Sequence, residues 1–201
     1  MRERGFMRET FIHRETSETD ISLSLSLDGT GEISIETGVA FFDHMLEAIG
    51  RHGLFNLEVR ARGDLDVDAH HTVEDVGIVL GQAIAQCLSD KAGIKRFGQA
   101  CIPMDEALVL AAIDISGRGQ LHWQVKLPIE FIGSFDTGLF KEFLIALASH
   151  AGITIHIHMF SGENAHHIIE AAAKAFARAL KDAVSLDTRL EGRIPSTKGI
   201  L

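Results

Sequence analysis

The chain repeats itself, and that constrains its fold more than any other feature. His70-His71 followed by Glu74 returns 96 residues later as His166-His167 followed by Glu170, so His-His-x-x-Glu occurs twice in 201 residues. The repeat extends upstream. Phe42 and His52 are matched 98 residues on by Phe140 and His150, and the apolar run Leu54 to Val59 is matched by Ile153 to Ile157. The order helix, strand, His-His helix therefore occurs twice. One half is about 95 residues, too long for a solenoid repeat and the right size for a duplicated, fused domain. The expected organisation is an N-terminal extension over 1–13, a first half over 14–105 and a second half over 106–201.

Periodicity supplies the elements. Ile21 to Leu27 alternates serine with apolar residues, as a half-buried strand does, and Asp28-Gly29-Thr30-Gly31 predicts a hairpin into Ile33–Ile35. Phe41–Arg51 reads as a helix, Phe55–Ala61 as a strand and His71–Lys91 as a long amphipathic helix. Leu108–Ile115 and Leu121–Leu127 read as paired strands around Ser116-Gly117-Arg118-Gly119. A helix over Asp136–Ser149, a strand over Ile153–Phe160 and a helix over Ala165–Val184 complete the second half. Strands and helices balance, which gives an α+β class.

Composition narrows the function. With 46% hydrophobic and 23% charged residues the chain can bury a real core. A net charge of −9 argues against nucleic acid or an anionic membrane as partner. No apolar run reaches the length of a membrane span, and the polar start of the chain lacks the apolar stretch of a secretory signal. Cys87 and Cys101 fit no zinc or disulfide spacing and read as reduced core thiols. A cytoplasmic location is the expectation.

The motif carries chemistry. In a helix, residues three or four apart share a face, so each glutamate stands beside its two histidines. Adjacent histidines project about 100° apart and do not readily serve one ion, so each copy suits two metal centres. Imidazole and carboxylate donors suit zinc, manganese or iron. His156 and His158 share a strand face, and one of the two is a further candidate ligand. Asp75 is either a carboxylate supporting the site or a solvated charge. Ser196, Lys198 and the backbone of Arg193–Gly199 can wrap an oxyanion. Arg96, Arg118 and Lys174 are further cations with which an acidic protein could hold a phosphorylated ligand. A di-metal phosphate-ester hydrolase and a metal-storage shell are the rival readings.

Phe41-Phe42-Asp43-His44-Met45-Leu46, Ala69 to Gly77, Pro103 to Leu108, Ser116-Gly117-Arg118, His166 to Ala171 and Ile194 to Gly199, in that order, resemble the imidazoleglycerol-phosphate dehydratase family of histidine biosynthesis. The resemblance implies loss of water from D-erythro-imidazole-glycerol phosphate, giving imidazole-acetol phosphate. It implies two manganese ions per active site, with His44, His70, His71, Glu74, His156, His166, His167 and Glu170 as ligands, and it favours His156 over His158. It implies substrate contacts from Glu18, Arg96, Arg118, Lys174, Ser196 and Lys198, with proton transfer by Glu170 or Glu74 beside His71 and His167. The implied fold packs helices between two four-stranded sheets, like a ribosomal-protein-S5 domain 2. The implied active form is a 24-subunit homo-oligomer built from trimers, with sites between subunits. Glu47-Ala48 and Gly119-Gln120 depart from the family pattern, which bears on substrate affinity.

Overall fold

The structure, a computed structural model, describes residues 8–200. The first half runs β1 (Glu9–Glu15), β2 (Thr19–Ser26), β3 (Ile33–Glu36), α1 (Ala40–Gly53), β4 (Asn56–Gly63) and α2 (His70–Leu88). The second runs β5 (Phe97–Met104), β6 (Ala107–Asp114), β7 (Gln120–Gln124), a small β8–β9 hairpin (Phe131–Ile132 and Phe135–Asp136), α3 (Leu139–Ala151), β10 (Thr154–Ser161) and α4 (Ala165–Val184). The two four-stranded sheets have the same order, β1-β2-β4-β3 and β5-β6-β10-β7. The helices lie between them: α2 packs on β1, β2 and β4 and against α3, and its counterpart α4 packs on β5 and β6 and against α1.

Two expected strand pairings fail, in the same way in each half. β3 pairs with β4 in parallel and not with β2, so Ile21–Leu27 and Ile33–Ile35 form no hairpin. β10 lies between β6 and β7, which therefore do not pair either. A side chain at the start of each central strand holds the crossing loop. Asn56 Oδ1 accepts the backbone N–H of Thr30 and of Glu32, at 2.8 and 3.1 Å. Its counterpart Thr154 donates from Oγ1 to the carbonyl of Arg118 at 3.0 Å. The turn residues bend the chain, and these anchors carry it past the central strand to the far edge.

Edge strands β1 and β5 carry weak alternation and do not stand out in the sequence. Glu9 to His13, expected in an N-terminal extension, form most of β1 and pair with Ser22 to Ser26. Met1 to Met7 of that extension lie outside the described residues.

Ile21, Leu23, Leu25, Leu57 and Val59 of one sheet and Val109, Ala111, Ile113, Ile155 and Ile157 of the other point inward and are buried. Between them sit Phe42, Phe140, Phe143 and Phe176, all fully buried. Glycines set the distance between α2 and α3. A Cβ at Gly77 would lie 2.6 Å from the carbonyl oxygen of Phe143, and one at Gly81 would lie 2.6 Å from that of Leu147. Asp75 neither faces solvent nor supports a motif histidine; it is buried, pairs with Arg14 at 2.6 Å and accepts from Thr19. It ties α2 to the first sheet.

The cysteines separate. Cys87 is buried on α2, and burial pushes its thiol up to about 11. Cys101 is exposed, against expectation, because helices cover only one face of β5 and Cys101 is on the other. Native protein at pH 8 should therefore yield at most one thiol per chain to a disulfide reagent, and two after denaturation. Rapid native labelling of both thiols would contradict the packing of α2. Among the described residues no helix is long and apolar enough to cross a membrane.

Candidate metal centre

Both His-His pairs open a helix; Asn164 is the N-cap of α4, and Asp68 stands one residue before Ala69, the N-cap of α2. Asn164 Oδ1 accepts the N–H of His166 at 2.9 Å before α4, and Asp68 Oδ1 accepts that of His70 at 2.7 Å before α2. A cap of this kind satisfies one of the N–H groups left unpaired in a first helical turn. It fixes where the helix begins, and so which way the paired imidazoles project.

Among the described residues one cluster closes within the chain. His44 of α1 meets His166 and Glu170 of α4, and one ligand atom from each lies within 4.8 Å of the others. Glu170 Oε2 is 3.2 Å from His166 Nε2 and 3.6 Å from His44 Nε2, and its other oxygen is 2.8 Å from Lys174 Nζ. Burial raises the Glu170 pKa, but the hydrogen bond and charge of Lys174, with the two histidines, outweigh it and hold the carboxyl below its ordinary value. The Phe41 and His166 rings pack nearly perpendicular, 5.1 Å between centroids. Two imidazoles and one carboxylate converging at this spacing, with no thiolate, form a donor set that fits manganese, zinc or iron.

The first motif is more open. His70 Nε2 is 3.7 Å from Glu74 Oε2, with both side chains nearly half exposed. No residue of α1 approaches them as His44 approaches the second motif, because α2 packs against α3. The 98-residue offset that relates Phe42 to Phe140 makes Glu142 of α3 the counterpart of His44. That correspondence is carried by the offset alone, since Glu142 differs in residue type from His44.

The second histidine of each motif is held separately. His71 Nδ1 lies 3.0 Å from Asp64, and His167 Nδ1 lies 2.7 Å from Glu106. Each hydrogen bond raises the imidazole above its ordinary value, and Glu106 falls to about 2, through His167 first and then the amides of Asn164 and Glu163. Glu18 lies 4.0 Å from His71 Nε2, and Asp105 lies 3.7 Å from His167 Nε2.

His156 is placed elsewhere. It lies on the outer face of β10, away from the helices, stacked on His122 with ring centroids 4.2 Å apart. His158, on the same side of the strand, hydrogen-bonds Gln124 at 2.6 Å.

The other cations gather far from the clustered histidines. Arg96 grips Asp114 at 2.7 Å and donates to the carbonyl of Pro195 at 2.9 Å, drawing in the segment that holds Ser196 and Lys198. Arg118 is exposed beside the same Asp114, at 3.9 Å. The backbone N–H of Arg96 donates to the carbonyl of Ala183, near the C-terminal end of α4. At a rise of 1.5 Å per residue, Ala183 is about 24 Å along the helix from His167. Lys174 stays with Glu170 and does not join this group. A groove of about 750 Å³ crosses the outer face of the first sheet, past Phe11, Ser24 and Glu58, and no motif histidine lines it.

Residues 37–180 match the family profile of imidazoleglycerol-phosphate dehydratase. The chain belongs to that family. The imidazoleglycerol-phosphate dehydratase of Gluconobacter oxydans is 58% identical over 194 residues, covering 96% of this chain and 98% of its own. That of Acetivibrio thermocellus is 56% identical, covering 96% and 99%. Among solved structures, the Staphylococcus aureus dehydratase superposes with a TM-score of 0.81 at 39% identity, covering 89% of this chain and 99% of its own. The Pyrococcus furiosus enzyme, solved in complex with (S)-C348, gives 0.82 at 38% identity, covering 94% and 100%. The duplicated α+β architecture is thus that of the imidazoleglycerol-phosphate dehydratases, and the chain is an enzyme of the hydro-lyase class in histidine biosynthesis.

Proposed function

We propose that this chain dehydrates D-erythro-imidazole-glycerol phosphate to imidazole-acetol phosphate, in the cytoplasm, with two manganese ions per active site. The observation that carries this reading is the closure of His44, His166 and Glu170 around one point, with Lys174 fixed beside them, in a chain 58% identical to a relative over 96% of its length. His44, His166 and Glu170 would hold one ion; His70 and Glu74 would belong to another, with Glu142 on the neighbouring helix. His71 and His167 present their Nε2 atoms from the same first turns. Bound manganese supplies Lewis acidity toward the ring nitrogens of an imidazole.

The chain's own residues do the rest. The proton to be lost sits on a carbon with no adjacent carbonyl, so the imidazole ring must supply electron density as hydroxide leaves the carbon attached to it, and take that density back as a base removes the proton from the next carbon. Glu170 is a carboxylate at neutral pH, aimed by Lys174, and can take or return a proton at Oε2. Glu74 is the corresponding carboxylate of the first motif, and Glu18 reaches toward His71 from the β1–β2 turn. Arg96, Arg118, Ser196 and Lys198 would hold the phosphate, fixing the glycerol chain against the metals.

The separation of about 24 Å between the cationic end of α4 and its histidine end is far longer than the substrate. It supports a site completed by a neighbouring subunit within a homo-oligomer, for which the 24-subunit assembly of trimers is our reading. His156, on an outer sheet face, would then serve a centre in another chain.

The test is the product. Metal-loaded protein given imidazole-glycerol phosphate should form a ketone that retains its phosphate; release of inorganic phosphate without ketone would replace this reading with a di-metal hydrolase. A Lys198→Ala protein should show KM raised about tenfold or more, since a charge-assisted hydrogen bond contributes about 1.5–3 kcal/mol. An unchanged KM would remove Lys198 from the phosphate site.

A further inference from the structure

The two halves carry equivalent glutamates in different employment. Across one hairpin Thr16 N–H donates to the carbonyl of Thr19, and across the other Met104 pairs with Ala107. Ser17-Glu18 and Asp105-Glu106 are therefore the paired turn residues, and Glu106 is the positional counterpart of Glu18. Glu106 is fully engaged. Its Oε2 meets His167 Nδ1 at 2.7 Å, while Oε1 accepts the backbone N–H groups of Glu163 and Asn164 at 3.1 and 2.8 Å. Glu18 is half exposed and lies near Nε2 of His71, the nitrogen opposite the one Asp64 holds. Asp64, from the connection between β4 and α2, does for His71 what Glu106 does for His167.

We infer that Asp64 and Glu106 are positioning residues that lock His71 and His167 as Nδ1–H tautomers, so that Nε2 carries the lone pair offered to metal. Because Asp64 performs this task in the first half, Glu18 is released for the substrate. The inference rests on the metal reading above. An ionised carboxylate only accepts, so a ring nitrogen hydrogen-bonded to it must carry a proton. In a neutral imidazole the other nitrogen then has none, and its direction is fixed by the same bond.

The test compares amide with alanine at each position, reading Mn²⁺ affinity by titrating chelated protein and following free Mn²⁺ by electron paramagnetic resonance. In Glu106→Gln the two backbone amides keep the amide oxygen, so the amide nitrogen faces Nδ1. As a donor it forces the proton onto Nε2, the ligating atom. Affinity for Mn²⁺ should fall about 10- to 100-fold, and further than in Glu106→Ala, which leaves the ring free to choose its tautomer. Asp64→Asn and Asp64→Ala should rank the same way, from a half-buried loop position where folding is not at stake.

A merely structural role predicts the reverse ranking, because the amide preserves shape and packing. That ranking, or amide variants within threefold of the unaltered protein, overturns the inference. His167→Ala is the reference. If it loses Mn²⁺ while Glu106→Gln keeps it, only the positioning role falls. If His167→Ala binds Mn²⁺ as the unaltered protein does, the metal reading falls and this inference with it.

Discussion

Glu170→Gln should lower kcat by about 10²- to 10⁴-fold, the range a positioned acid–base group contributes. The substitution keeps the side chain's volume in a site where Glu170 is buried. It removes the charge that faces Lys174 at 2.8 Å and the two histidines at 3.2 and 3.6 Å. Lys174 loses the partner that aims it, so the variant removes two functions at once. Single-turnover kinetics on protein with its metal content measured would check this. Retained metal with near-normal turnover would remove Glu170 from proton transfer and leave Glu74 as the candidate.

The second large effect is on stability. Gly81→Val should cost about 3 kcal/mol or more, at the upper end for overpacking. A Cβ at that position meets the Leu147 carbonyl oxygen at 2.6 Å, His150 Cβ at 2.9 Å and the backbone nitrogen of Ala151 at 3.1 Å. Two of these are backbone atoms of α3, so no rotamer change makes room and the helices must separate. The better helix propensity of valine offsets only about 0.5 kcal/mol. At about 2–4 °C per kcal/mol for a chain of this size, Tm should fall by roughly 6–12 °C. A change in unfolding free energy below about 0.5 kcal/mol would contradict the close approach of α2 and α3. The same displacement would move His70 and Glu74 relative to Glu142.

The helices were legible because one face of each is continuously apolar, and α4 runs from Ala165 to Val184 as its periodicity predicts. The duplication was legible too, and it is the reason both sheets have one order. Strand partners were not. Asp28-Gly29 signals a local bend, but whether the next strand pairs with the last depends on Asn56, a residue more than twenty positions away. The same contest was lost at Thr154. Exposure of Cys101 depended on which face of β5 the helices cover, which alternation alone leaves open. At the site, the spacing groups each histidine pair with its own glutamate, and only the family resemblance adds His44; the spacing does not say which of these side chains meet. Each copy looks self-contained in sequence, whereas the packing gives His166 and Glu170 a third member, His44, from the other half. Glu106 lies in the Pro103–Leu108 stretch but Asp64 lies in none of the resembling stretches, and only the geometry of the ring nitrogens shows that both hold a histidine.

The most direct test of the central claim is turnover as a function of added manganese. Chelated protein, titrated with Mn²⁺ and assayed for ketone formation, should rise from no detectable activity to a plateau near two equivalents per chain, and chelation should abolish it again. Full ketone formation by protein shown to hold no metal would contradict the account, whatever the histidines look like.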